Sequence, residues 1–222
     1  MEKQYKAVIF DFDMTLADSA GVIVALLNDT AEKFGYSRLP FQEVLPCVGN
    51  THENMLSYIT GETDREKIMN MRIYYREISR TEMPRRTEFF PGTEECLKGL
   101  KSRGIKTGIL SLKLKEILLA SLEKHHLTGY IDQILGCEDV EAPKPDPSGL
   151  IKMLELLEIA AEEALYIGDS ILDEGTARNA GVDFCAMLLG GTGEEQFDKR
   201  VVKRFYHSID EFQTDFLGKE SR

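Results

Sequence analysis

Short apolar runs recur along the chain, separated by stretches where apolar residues return every three or four positions. Residues 7–10 (AVIF), 105–110 (IKTGIL), 131–136 (IDQILG), 164–167 (ALYI), 183–188 (DFCAML) and 202–206 (VKRFY) read as strands. They are short, rich in Ile, Val and Phe, and several end in Gly, Asp or Ser. Between them, residues 93–103 carry Cys96, Leu97 and Leu100 at helical spacing. Residues 114–124 carry Leu114, Ile117, Leu118 and Leu122, and residues 148–158 carry Leu150, Ile151, Leu154 and Leu157. A further short helix is predicted over 171–180. Strands alternating with helices predict an α/β chain with a doubly wound parallel sheet, whose ligand crevice lies beyond the carboxyl ends of the strands.

One stretch breaks this alternation. Residues 18–88 hold no convincing strand, and helix-like segments fall near 20–34, 51–59 and 64–81. In the third, Ile68, Met71, Tyr75 and Ile78 share a helical face. The pattern predicts a small all-helical domain inserted after the first strand, closed by Pro84 and the Pro91-Gly92 pair. The expected division is a core of residues 1–17 and 89–222 and a cap of residues 18–88.

Composition changes this picture only by exclusion. Asp and Glu outnumber Lys and Arg by 38 to 27 in 222 residues, a net charge of −11 that disfavours a general nucleic-acid binder. Cys47, Cys96, Cys137 and Cys185 are too far apart for a zinc motif and read as isolated buried thiols of a reducing compartment. The polar residues 1–6 lead straight into the first strand without the apolar core of a signal peptide, and no apolar run is long enough to span a membrane. A cytoplasmic protein with neither membrane nor nucleic-acid polymer as partner is expected.

The candidate chemistry gathers at predicted strand ends. The first strand runs into Asp11-Phe12-Asp13-Met14-Thr15-Leu16, whose two carboxylates project to one side of extended chain. Two such anions call for a cation or a proton; a solvated strand-end loop is the plain alternative. The strand ALYI leads into Gly168-Asp169-Ser170-Ile171-Leu172-Asp173, so Asp169 can enter the same crevice as Asp11. Asp173, one helical turn on, either joins it or complements a helix dipole. Ser111 follows the strand IKTGIL, as an anion-binding hydroxyl and N–H or as a helix N-cap. Lys144 stands between Pro143 and Pro145, held where it could offset acidic charge and grip phosphate.

These motifs, in this order and with gaps of 100, 33 and 25 residues between Asp11, Ser111, Lys144 and Asp169, resemble those of the haloacid dehalogenase-like hydrolases. The resemblance is to the phosphoglycolate phosphatase-like branch, over nearly the whole chain. It implies a Rossmann-like core with a small cap, and a Mg²⁺-dependent phosphatase acting on a small phosphorylated metabolite, as a monomer or a homodimer. Asp11 would be the nucleophile that becomes an aspartyl-phosphate, and Asp13 the acid and then the base. Asp11, the Asp13 backbone carbonyl and Asp169 would bind Mg²⁺, with Asp173 supporting it. Ser111 and Lys144 would hold the phosphoryl group. An acid at position 13 favours phosphoryl transfer over dehalogenation. The sequence departs from the pattern at Leu112, where members often carry Asn, and over Gly190–Glu194, where they often carry an aromatic; that segment is expected at the rim of the site.

Alternatives share the scaffold or differ in class. A phosphosugar mutase of the β-phosphoglucomutase type would use the same Asp11, but residues 18–27 lack the His such relatives tend to carry. Pyrophosphatase or 5′-nucleotidase activity fits the same residues. A receiver-like signalling module is disfavoured by length and by the insert, and a non-catalytic binding protein by the intact acidic set. Arg72, Arg76 and Arg80, four apart, read as a solvated helix face before an anion site. His52 reads as a surface histidine, with a role in specificity as the alternative.

Overall fold

All four side chains of Ala7–Phe10 (β1) are buried in the computed structural model, which describes residues 4–218. A strand buried on both faces needs a layer of helices on each side. β1 is followed by Ala17–Asp18 (β2), by helices Ala20–Lys33 (α1), Phe41–Val44 (α2), His52–Thr60 (α3) and Arg65–Arg86 (α4), and by Glu88–Phe89 (β3). Helices and strands then alternate: Thr93–Ser102 (α5), Lys106–Leu110 (β4), Lys115–Lys124 (α6), Gln133–Leu135 (β5), Ser148–Leu157 (α7), Ala164–Gly168 (β6), Ile171–Ala180 (α8), Asp183–Met187 (β7), Val202–Tyr206 (β8) and Ile209–Leu217 (α9). The outer ends of the expected core, residues 1–3 and 219–222, lie outside the described residues.

The main sheet has the order β5-β4-β1-β6-β7-β8, and every neighbouring pair is parallel. Alternate residues of each strand feed opposite layers, as the two-residue period of a strand requires. Val8, Phe10, Ile109, Leu165 and Ile167 face α5, α6 and α9 through Leu97, Leu118 and Phe212. Ala7, Ile9, Leu110, Tyr166 and Phe184 face α7 and α8 through Leu150, Met153 and Ala177. This is the doubly wound α/β sheet expected from the sequence. The chain leaves β1 for β4 and β5 on one side and returns to β6 on the other. The topological switch point therefore lies around β1, with the ends of β4, β1 and β6 side by side.

The helices α1 to α4, the expected cap, pack around an apolar centre in which Leu26, Leu27, Leu56, Met71 and Tyr75 are buried. Leu114 and Ile117 of the core join that centre, so cap and core share a packed seam between α4 and α6. The fold corrects two expectations. Pro84 does not close the insert. It sits in the last turn of α4, where the lost N–H removes only one ladder bond, and the helix runs on until Thr87 N–H bonds to Met83 C=O at 2.9 Å. The insert is closed instead by β2 and β3, an antiparallel pair of two residues each (Ala17 opposite Phe89, Asp18 opposite Glu88) that is too short to show a period. No helix among the described residues is long and apolar enough to cross a membrane. All four cysteines are free; three are buried as expected, and Cys137 is only half-buried.

Candidate active site

Asp11, Ser111 and Asp169 stand at the carboxyl ends of β1, β4 and β6, which are neighbours, so three segments remote in sequence meet at one crevice. Lys144 enters from the loop before α7. Its Nζ lies 2.8 Å from Asp11 Oδ1 and 2.7 Å from Asp173 Oδ1, and the ammonium is as buried as the carboxylates it joins. Asp173 is the N3 residue of α8 and part of a capping box with Ser170, whose backbone N–H donates to Asp173 Oδ2 at 3.1 Å. Tyr166 O–H donates to Asp173 Oδ1 at 2.7 Å. Asp173 is thus engaged on both oxygens and serves as the anchor of Lys144. Tyr166 was hidden in the sequence as a core aromatic of β6. Its signal is position, two residues before the strand-end glycine on the face that leads toward Lys144.

Asp13 lies at the mouth of the crevice. Its Oδ1 accepts from Ser19 Oγ at 2.5 Å and pairs with Lys113 Nζ at 3.0 Å. Lys113 is buried, with 6% of its side chain accessible, so the residue after Leu112 brings a second ammonium group into the site. Ser111 is less available than expected. Its backbone N–H is committed to Leu135 C=O at 3.1 Å as the ladder continues past β4, and its hydroxyl oxygen accepts from Lys113 N–H at 3.2 Å. It does not cap α6, whose N-cap is Leu114. The hydroxyl proton is what Ser111 has left to offer.

Two glycines are required by close approach. A Cβ at Gly168 would lie 2.4 Å from Asp173 Cγ, and one at Gly190 would lie 1.9 Å from Asp169 Oδ2. The Gly190–Glu194 segment therefore does border the site, and a Cβ on Gly191 would come within 3.1 Å of the cap's Leu45 C=O.

Electrostatics set the chemistry of this cluster. Burial pushes the Asp11 carboxyl up to about 7, against the opposing pull of Lys144 and with help from Asp173 and Asp13. Burial, then Asp173 and Asp11, hold Asp169 well above the ordinary carboxylate range. Burial disfavours the Lys144 ammonium, but Asp11 and Asp173 outweigh it and raise that group above its usual value. Four carboxylates face only two ammonium groups among the described residues. Ligand oxygens of Asp11, Asp169 and Asp173 lie within 4.8 Å of one another. An all-oxygen, anionic and buried donor set of this kind fits a hard divalent cation such as Mg²⁺.

A pH dependence follows. For Asp11 and Asp169 the folded values exceed the unfolded ones, so their contribution to stability is complete below about pH 4 and is lost as pH rises through the folded values. His52 has the opposite sign, since burial, with Arg76, Lys113 and Arg72, lowers it to about 3; its contribution is complete above about pH 7. Between about pH 7 and about pH 8 the protein stripped of metal is expected to lose thermal stability. The loss should shrink in Asp169→Asn and on adding Mg²⁺ to the unsubstituted protein, both read by calorimetry. A flat profile in that window would contradict the raised carboxyl of Asp169, since most of the Asp11 contribution is lost by about pH 7.

The cleft between cap and core, about 450 Å³, opens beside Asp13 and is lined also by His52, Tyr75, Arg76, Leu112 and Lys113. His52 is not the surface residue expected; it packs on Tyr75 with ring centres 5.0 Å apart. Of the three arginines, Arg80 is exposed as expected, while Arg72 and Arg76 are half-buried.

This sheet order, helical insert and ring of strand-end carboxylates define one class. The haloacid dehalogenase-like hydrolase family model matches residues 8–187, and the chain belongs to that family. Among curated relatives, pyrophosphatase PpaX of Bacillus cereus (strain G9842) is 31% identical over 180 residues, 81% of this chain and 82% of the relative. A Bacteroides fragilis structure assigned as a haloacid dehalogenase-like hydrolase superposes with a TM-score of 0.90 at 36% identity, covering 94% of this chain and all of that one. A Lactobacillus plantarum structure assigned as a phosphoglycolate phosphatase shares the fold, with a TM-score of 0.84 at 22% identity over 94% of this chain and 98% of its own.

Proposed function

We propose that the protein is a Mg²⁺-dependent phosphatase of the phosphoglycolate phosphatase-like branch, hydrolysing a small phosphate monoester through an aspartyl-phosphate on Asp11. The observation that carries this reading is the buried contact of Lys144 with both Asp11 and Asp173, which sets a cation beside the strand-end carboxylate proposed to attack. Residues 18–88 serve as the cap domain over that centre. A reducing cytoplasm suits the four free thiols.

The residues divide the work as follows. An Asp11 oxygen forms a bond to phosphorus as the ester P–O bond breaks, and Asp13 gives its proton to the departing oxygen. A water then attacks the aspartyl-phosphate, Asp13 takes the proton from that water, and inorganic phosphate leaves. Lys144 and the Ser111 hydroxyl hold the phosphoryl oxygens, and Ser19 and Lys113 fix the Asp13 carboxyl in place. Asp11, the Asp13 backbone carbonyl and Asp169 would hold Mg²⁺, which would supply charge neutralisation at the phosphoryl group. Asp173 orients Lys144. Pyrophosphate is a second reading of the substrate, favoured by the identity with the Bacillus cereus pyrophosphatase.

The test is phosphate release from a panel of phosphorylated metabolites that includes pyrophosphate. Turnover is expected in Mg²⁺, none after exhaustive chelation by EDTA, and recovery on restoring Mg²⁺. Ca²⁺, whose coordination shell is larger and looser, should support it poorly. Full activity in EDTA would overturn the assigned metal role.

A further inference from the structure

Arg72, Arg76 and Arg80 follow one another at single turns of α4, and two of the three have an acidic partner. Arg72 Nε lies 3.0 Å from Glu53, and Arg80 Nε lies 2.6 Å from Glu116. Arg76 differs. Among the described residues no carboxylate comes within ion-pair distance of it; its Nη2 reaches only Cys137 Sγ, at 3.4 Å, and its Nε is buried without an acceptor. A half-buried guanidinium with no carboxylate partner and a buried, unpaired Nε is left short of acceptors, and an anionic ligand is the natural relief.

Its place in the fold says which anion. Arg76 lines the same cap–core cleft as Asp13 and Lys113, on the side where the departing part of a substrate must lie. Lys144 is committed to Asp11 and Asp173, and Lys113 to Asp13. Among the described residues, Arg76 is therefore the positive charge of that cleft still unanswered.

Resting on the phosphatase reading above, we propose that Arg76 is a specificity residue whose guanidinium receives a second oxyanion, carboxylate or phosphate, carried by the leaving part of the substrate. The planar fork of arginine matches either group in a bidentate manner.

The test is a ratio of specificity constants. kcat/KM is measured for 2-phosphoglycolate, which bears a distal carboxylate, for pyrophosphate, which bears a distal phosphate, and for ethyl phosphate, which bears neither. In Arg76→Gln the ratio of each anionic substrate to ethyl phosphate is expected to fall by at least about 10-fold, mostly through KM, with Arg76→Lys retaining an intermediate ratio. A fall confined to one of the two anionic substrates identifies the oxyanion. If both ratios hold within about 2-fold, Arg76 is only a latch between the cap and Cys137 and the inference is overturned, whatever the variant does to overall rate. No turnover of any phosphate by the unsubstituted protein would instead overturn the phosphatase reading, and this inference with it.

Discussion

Asp11→Asn is expected to lower kcat by at least about 10⁴-fold while leaving the fold intact. The carboxamide keeps the shape of the carboxylate at the end of β1 but is a far poorer nucleophile toward phosphorus. Lys144 does not lose its anchor, because Asp173 holds it at 2.7 Å independently. The variant also removes a buried group whose ionisation is unfavourable, so its melting temperature at neutral pH without metal should not fall below that of the parent. Rapid acid quenching with a radiolabelled phosphate substrate should trap label on the parent protein and none on the variant. Substantial turnover by Asp11→Asn, or label retained on it, would end the aspartyl-phosphate mechanism.

Lys144→Met should be the more damaging of the two substitutions for stability. The methionine nearly fills the space of the lysine stem, so little of the loss comes from a cavity. What is lost is the cation that Asp11 and Asp173 share, and breaking such a buried pair costs about 3–5 kcal/mol. For a chain of this length that is a fall in melting temperature of the order of 10 °C. The loss has a sign in pH. Without Lys144 the Asp11 carboxyl titrates still higher, so the deficit is greatest near pH 8 and narrows toward about pH 5 as it takes up a proton. Melting curves across that range, without added metal, measure it directly. An equal deficit at every pH would mean that packing around the lysine stem matters more than its charge.

What was legible in the sequence was what two periodicities and one rule could carry. Buried strands read as apolar runs, cap and core helices as three-to-four spacing, and Asp11, Ser111 and Asp169 as polar residues placed directly after strands. Lys144 was legible because prolines on both sides gave a loop lysine a reason to be fixed. The rest depended on contacts that no local pattern encodes. Nothing in the local pattern decides whether Lys113 faces the site; its contacts with Met83 of α4 and with Asp13 belong to tertiary structure. Arg76 shared its spacing with Arg72 and Arg80 and differs from both in that, among the described residues, no carboxylate lies within ion-pair distance of it. Gly190 lies far from the acidic motifs in sequence, and its closeness to Asp169 belongs to tertiary structure alone. The pair β2–β3 was missed because two residues cannot display a period of two.

That small pair can also be viewed as a polymer junction. Ala17 and Phe89 are partners, so the cap leaves and re-enters the core at nearly one point, and to the core it is a closed loop of roughly 70 residues. Closing such a loop costs about 4 kcal/mol, and doubling its length would add only about 0.6 kcal/mol. The core is thus thermodynamically almost indifferent to how large the insert is, provided its two ends still meet at β2 and β3. Lineages of this architecture can lengthen, shorten or exchange the part that greets the substrate without renegotiating the stability of the part that performs the chemistry.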